Sequence, residues 1–221
     1  MLFRNNKVRR FIEQGAFEKL DTLLSHKPQL ANEGITIPFA FFCRTKAHPL
    51  HRICDPVISG KLSDDNALRF AEIFIKHGSR IEGNRFINGD DSPLLATASL
   101  HAEKVGIYLI EQGADVNSVG NSDGASALHW ASFCGRDFLV KKLLEAGADF
   151  TLKDKNHDCT PLHWAVHCLV SNDQGNIWHQ YECIELLLKA GATLNELDVE
   201  SIDFLKSKIE QYSFLSKYLL P

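Results

Sequence analysis

One short motif returns four times along the chain, and it limits the possible folds more tightly than any other feature of the sequence. The segments "HPLHRI" (48–53), "SPLLAT" (92–97), "SALHWA" (126–131) and "TPLHWA" (160–165) align, with starts 44, 34 and 34 residues apart. Each is followed by a second signal: "FIKHGSRI", "LIEQGADV", "LLEAGADF" and "LLKAGATL". The glycines in these are Gly78, Gly113, Gly147 and Gly191. Counting back three, four, seven and eight positions from Gly147 gives Leu144, Leu143, Val140 and Leu139. From Gly191 the same count gives Leu188, Leu187, Ile184 and Cys183, and the other two units follow suit. That spacing places the apolar residues on one face of a helix, with the glycine as a left-handed C-cap. Thr160-Pro161 reads as an N-cap followed by a first helical position that needs no N–H. Each unit is therefore a short helix, a turn, a longer helix and a loop back. A single hairpin of this kind cannot bury its apolar face, but stacked copies bury it against one another.

The flanks fit as caps. Residues 7–28 read as two helices hinged near Gly15, with Leu20, Leu23 and Leu24 in the second-helix pattern and Lys27 at the glycine position. Residues 200–221 read as a final helical pair. The expected organisation is an N-terminal capping pair with a long linker over 1–43, four repeats over 44–198, and C-terminal capping helices over 199–221. That gives an all-α solenoid of about six stacked helical hairpins. The link over 32–47 carries Ile37, Pro38, Phe39, Phe41 and Phe42, which are expected to pack against the solenoid rather than form an exposed patch. Gly106 stands inside a helix where its counterparts are bulkier, an expected weakness of about 1 kcal/mol relative to Ala.

The motif "TPLHWA…GAD" at this period resembles the ankyrin repeat. There are departures: His48 stands where the family has Thr, Ala127 where it has Pro, and Leu95 where it has His. The resemblance implies that the Thr and His of each unit hydrogen-bond locally and brace the loop. It also implies a protein partner, bound by the hairpin tips and the exposed side of the short inner helices. Carried onto this sequence, the surface positions are Ser122, Asp123, Ala125, Phe133 and Cys134 in one unit, and Asn156, His157, Cys159, His167 and Cys168 in the next. In the earlier units they are Asn88, Gly89, Asp91, Ser99 and Leu100, and Arg44, Thr45, Asp55 and Pro56. Phe133 is the candidate anchor, since interface hot spots are commonly aromatic or Arg.

Composition narrows the function classes. Lys and Arg total 24 against 28 Asp and Glu, a net charge of −4, so nothing global favours nucleic acid or an anionic membrane. The basic cluster Arg4, Lys7, Arg9 and Arg10 is expected on the solvated face of a capping helix, with nucleic-acid contact the alternative. No signal-like or membrane-spanning apolar run is read, so a cytosolic monomer is expected, in a host's cytosol if the chain is an exported effector. The six cysteines lack CxxC spacing and are expected as free thiols. Phosphate-binding, GxSxG and HExxH motifs are absent from the sequence. His51, His129 and His163 share one repeat position and are read as structural. The paired carboxylates Asp64-Asp65 and Asp90-Asp91 are read as loop residues. Cys159, His163, His167, Cys168, His179 and Cys183 make the region 157–183 the one place where an enzyme or metal site could lie. They do not form a clear tetrahedral set, so neither zinc nor another cofactor is expected. The reading is a non-catalytic module that binds another protein as adaptor, inhibitor, immunity protein or effector.

The last two units differ in one respect. The shared glycine follows the shared alanine by 16 positions in the unit opening at 126 and by 26 in the unit opening at 160. The excess, near 167–178, and a similar one near 55–66, are expected as rim inserts, since loop closure costs little at such sites. Trp178 and His179 are expected to extend the binding surface beside His167 and Cys168. Trimming 171–178 to a short Gly-containing turn should leave the melting temperature within a few degrees and weaken partner binding at least tenfold, about 1.4 kcal/mol. Calorimetry on the trimmed chain with its partner checks this, and unchanged affinity would make the insert idle.

Overall fold

The computed structural model describes residues 7–40, 45–84, 91–171 and 179–219. Among them, six helical pairs follow one another. The first is α1 (Lys7–Glu13) with α2 (Phe17–His26). The second is α3 (Pro49–Arg52), extended by α4 (Asp55–Ile58), with α5 (Asp64–Lys76). Then come α6 (Pro93–Ser99) with α7 (Glu103–Glu111), and α8 (Ala127–Phe133) with α9 (Asp137–Glu145). The fifth is α10 (Pro161–Ser171) with α11 (Gln180–Ala190), and the last is α12 (Val199–Ser207) with α13 (Ser216–Leu219). The short helices α3, α6, α8, α10 and α12 stack in that order as an inner layer. The outer layer runs α2, α5, α7, α9, α11.

The helical phase read from the sequence sets the core. At four, seven and eight residues before each glycine, Phe70, Ala71, Phe74, Val105, Leu109, Leu139, Val140, Leu143, Cys183, Ile184 and Leu187 are fully buried. The position three before is looser, and Ile75 and Leu144 are only partly covered. Gly78, Gly113, Gly147 and Gly191 all take positive φ, from 81° to 112°, which ends each outer helix. Side chains then stitch each unit to the next. Asp64 Oδ2 accepts from the N–H of Lys104 at 2.8 Å, and Glu103 Oε2 accepts from the N–H of Leu139 at 3.1 Å. Each carboxylate thus serves an otherwise unpaired donor at the start of the neighbouring outer helix. Asn117 does the same in the loops, donating to Gly147 O and accepting from Asp149 N.

Several expectations need correction. Asp64 and Asp65 are not loop residues; Ser63 caps α5 and they form its first turn. Arg9 is not on a solvated face. Its guanidinium donates to Glu13, Thr36 Oγ1 and Ala40 O, and Glu13 Oε1 also accepts from Phe39 N, so the pair ties the long link to α1. Within that link Ile35 and Pro38 are buried and Phe39 is half-buried, while Phe41 and Phe42 lie outside the described residues. Ile35–Thr36 and Lys46–Ala47 pair as a two-residue antiparallel ladder, a small departure from a purely helical chain. Residues 55–58 of the supposed first insert are helical, and Leu62 is buried.

Gly106 also reads differently in three dimensions. A methyl group there would stand 2.7 Å from Thr97 Oγ1 and 2.9 Å from Leu139 Cδ1. The residue is small because α7 is pressed between α6 and α9, not because the helix is weak. Gly106→Ala should therefore destabilise the fold by about 1 kcal/mol, overpacking of about 1–3 kcal/mol outweighing a helix-propensity gain of about 1. A stabilised variant in urea titration would contradict this packing. Leu143→Ala and Leu187→Ala should each cost about 2–5 kcal/mol by the same measurement. Losses below about 0.5 kcal/mol would mean the helical phase is wrong.

Candidate functional site

The inner layer carries an open groove of about 450 Å³ towards its C-terminal end. It is lined by Trp130 and Phe133 from α8, by His163, Trp164 and His167 from α10, and by His157 and Cys159 from the hairpin tip before α10. The far wall, Leu197, Asp198 and Ser201, belongs to the loop into α12 and that helix's first turn.

Its floor is an aromatic set. Trp130 and Trp164 meet edge to face at 5.0 Å between centroids, with Phe133 at 6.3 Å from Trp130 and 5.9 Å from Trp164. All three pairs lie within 77–84° of interplanar angle. Such contacts add roughly 0.5–1.5 kcal/mol each beyond area burial, so the rings hold one another in place without a ligand.

The tip that positions α10 is organised by Asp154, a carboxylate only 3% exposed. Oδ1 accepts from the N–H of Asn156 (2.9 Å) and of His157 (2.8 Å). Oδ2 accepts from the N–H of Cys159 (3.2 Å) and from Trp164 Nε1 (2.9 Å). Burial alone would raise its pKa, but the donations from Trp164, His157, Asn156 and Cys159 together outweigh it and hold the group below its ordinary value. The repeat histidines brace the same region. His129 Nδ1 accepts from Ser126 N (3.1 Å), which leaves its Nε2–H to donate to Cys159 O across the unit boundary (3.1 Å). Burial lowers the pKa of His129, consistent with this neutral tautomer. His163 and Thr160 repeat the local arrangement at 2.8 Å. At the first unit, His48 replaces the hydroxyl cap: its Nδ1 accepts from Leu50 N.

The structure brings only part of the expected surface together. Phe133, His157 and His167 line the groove, with Cys159 beside them. Ser122 and Asp123 border a separate crease of about 140 Å³, towards the preceding unit. Asn156 is exposed but outside the lining. His179 stands over the outer-helix starts, 3.9 Å from Asp137 and 3.8 Å from Glu182. Trp178 lies outside the described residues, as do Arg44, Asn88 and Gly89. Cys168 is a correction. It is 4% exposed, and its Sγ accepts from Gln180 Nε2 at 3.5 Å. The cause is the length of α10: α8 ends at Phe133, making Cys134 its C-cap, whereas α10 runs on to Ser171 and turns Cys168 inward. Residues 167–171 of the supposed insert are thus helix. Cys134 is half-buried, and burial pushes its thiol up to about 11, which makes it a poor nucleophile.

The indole pair is what sequence reasoning missed. Trp130 and Trp164 were legible as two of only three tryptophans, 34 residues apart at one repeat position. Leu197, Asp198 and Ser201 had no such signal.

Two models of ankyrin repeats match the chain, one of three repeat copies over residues 62–154 and one of a single repeat over 157–199. The chain belongs to the ankyrin repeat family. Ankyrin repeats serve generally as protein–protein interaction modules. The match begins at Leu62, so it takes in the outer helix α5 but not the inner helix α3 that opens at His48. No curated protein matches this ankyrin repeat chain. Among the described residues, no group of three or more His, Cys, Asp or Glu side chains is placed to hold a metal ion. The five cysteines described are free thiols.

Asp154→Asn should destabilise the protein at neutral pH by about 2–3 kcal/mol, because an amide NH₂ would then face backbone or indole donors. The carboxylate's folded pKa lies below its ordinary 3.8. Its contribution is therefore complete above that value and is lost as pH falls through the folded pKa, so the penalty should shrink by about pH 3. Denaturant melts of both proteins at the two pH values check this; a penalty that grows on acidification would reverse the assignment.

Proposed function

We propose that this ankyrin repeat protein is a non-catalytic binding module that recognises a segment of one partner protein in the groove between α8, α10 and the start of α12. The observation that carries the reading is the aromatic floor of Trp130, Phe133 and Trp164, half-buried and bordered by exposed His157 and His167. Large rigid rings in a groove with a polar rim are the composition of interface hot spots. Among the described residues, the other exposed large apolar side chains, Ile58, Phe138 and Val199, stand on different elements. The alternative of a catalytic site in 157–183 is not favoured by its thiols, because burial raises Cys159 and Cys183 above the ordinary thiol range. Contact with nucleic acid through α1 is not favoured either, since Arg9 is engaged by Glu13 and the 36–40 link. Among the described residues, no helix is long and apolar enough to cross a membrane.

Capture from the native cell lysate with the wild-type chain identifies the partner, and titration then measures its affinity. Phe133→Ala combined with His167→Ala should weaken binding at least tenfold, about 1.4 kcal/mol. Phe138→Ala removes an equally large ring from the outer layer and should leave it unchanged. If the double variant melts near the wild-type temperature and binds with full affinity, the groove is not the recognition surface.

A further inference from the structure

We infer that the groove takes up a cationic side chain, an arginine or lysine presented by an extended segment of the partner. This rests on the proposed reading of the groove and adds the chemistry of what enters it.

The argument is one of charge complementarity. Among the described residues, the lining contains no lysine or arginine. It contains three aromatic rings, whose faces attract cations, and the carboxylate of Asp198. Asp198 is exposed and caps α12 by accepting from Ser201 N at 2.7 Å; that bond, the Ser201 hydroxyl and nearby His163 hold its pKa below the ordinary value, so it is charged at neutral pH. At the edge of the Trp164 indole lies a second negative charge. Asp154 offers no open lone pair to a ligand, since four donors surround it, but it accepts from the Trp164 indole N–H. An anion on that N–H pushes electron density into the indole and strengthens its pull on a cation at the ring face. Neither of the two lysines flanking Asp154 in sequence lines the groove. Lys153 pairs with Asp158 at 3.0 Å, and Lys155 lies against Gly124, where a methyl group would stand 2.5 Å from its Cγ. The remaining polar lining groups are His157, His163, His167, Ser201 and the Cys159 thiol. An acidic segment would bring its charge against Asp198 with no lysine or arginine to meet it.

The test is a random peptide library displayed on phage and panned against the immobilised full chain at neutral pH. Peptides whose binding is lost on the Phe133→Ala/His167→Ala variant are kept as groove ligands and synthesised. The expected result is a shared Arg or Lys whose replacement by Gln weakens binding at least tenfold. Asp198→Asn, which keeps the helix cap, should weaken the same peptides several-fold and flatten their salt dependence. Groove-dependent peptides that tolerate the Gln replacement, or that share an acidic or purely apolar anchor instead, would overturn the inference while leaving the protein-binding reading intact. A library yielding no groove-dependent peptide would overturn it too. The binding reading itself falls only if the captured partner ignores the double variant.

Discussion

No hairpin of this chain can bury its own apolar face, and everything else in the molecule follows from that shortage. Leu139, Val140 and Leu143 on α9 are fully buried because α7 and α11 lie on either side of them. Stability is then shared between neighbours rather than stored within units. The carboxylates of Asp64 and Glu103 sharpen the coupling by capping the next outer helix instead of their own. Gly106 marks where the stacking is tightest. In the flanking segments, α1 is tied to its link by Arg9 and Glu13, and Tyr181 of α11 stacks on Tyr212 at 3.6 Å.

The fold was legible because the same physics is written four times. A period near 34, a left-handed glycine and one apolar face leave little freedom for anything but stacked hairpins. What the sequence did not show is where a residue's partner lies far along the chain. Arg9 reaches Thr36 and Ala40, and Asp64 reaches Lys104, so local pattern reads the first as a solvated helix face and the second as a loop residue. Gly106 was misread for the same reason: its neighbours Thr97 and Leu139 come from two other helices.

The groove was half legible. The resemblance to ankyrin repeats pointed to Phe133 and His167, because it implies which side of the short helices is exposed. The tryptophans were hidden by their regularity, as residues that recur at one repeat position read as scaffold. Here they serve both purposes, Trp164 anchoring the tip through Asp154 and flooring the groove with its ring. Cys168 failed because the transfer from Cys134 assumed equal helix lengths, and α10 is 11 residues where α8 is 7.

The far wall of the groove has a practical bearing on how the molecule can be dissected. Leu197 and Asp198 lie within the matched repeat that ends at residue 199, whereas Ser201 belongs to α12 beyond it, so the proposed groove straddles that boundary. A chain cut at that boundary would lose Ser201 from the wall together with the buried Leu205 and Leu215. Deletion mapping at that boundary therefore confounds two causes of lost binding, whereas single side-chain changes within the intact array keep them apart.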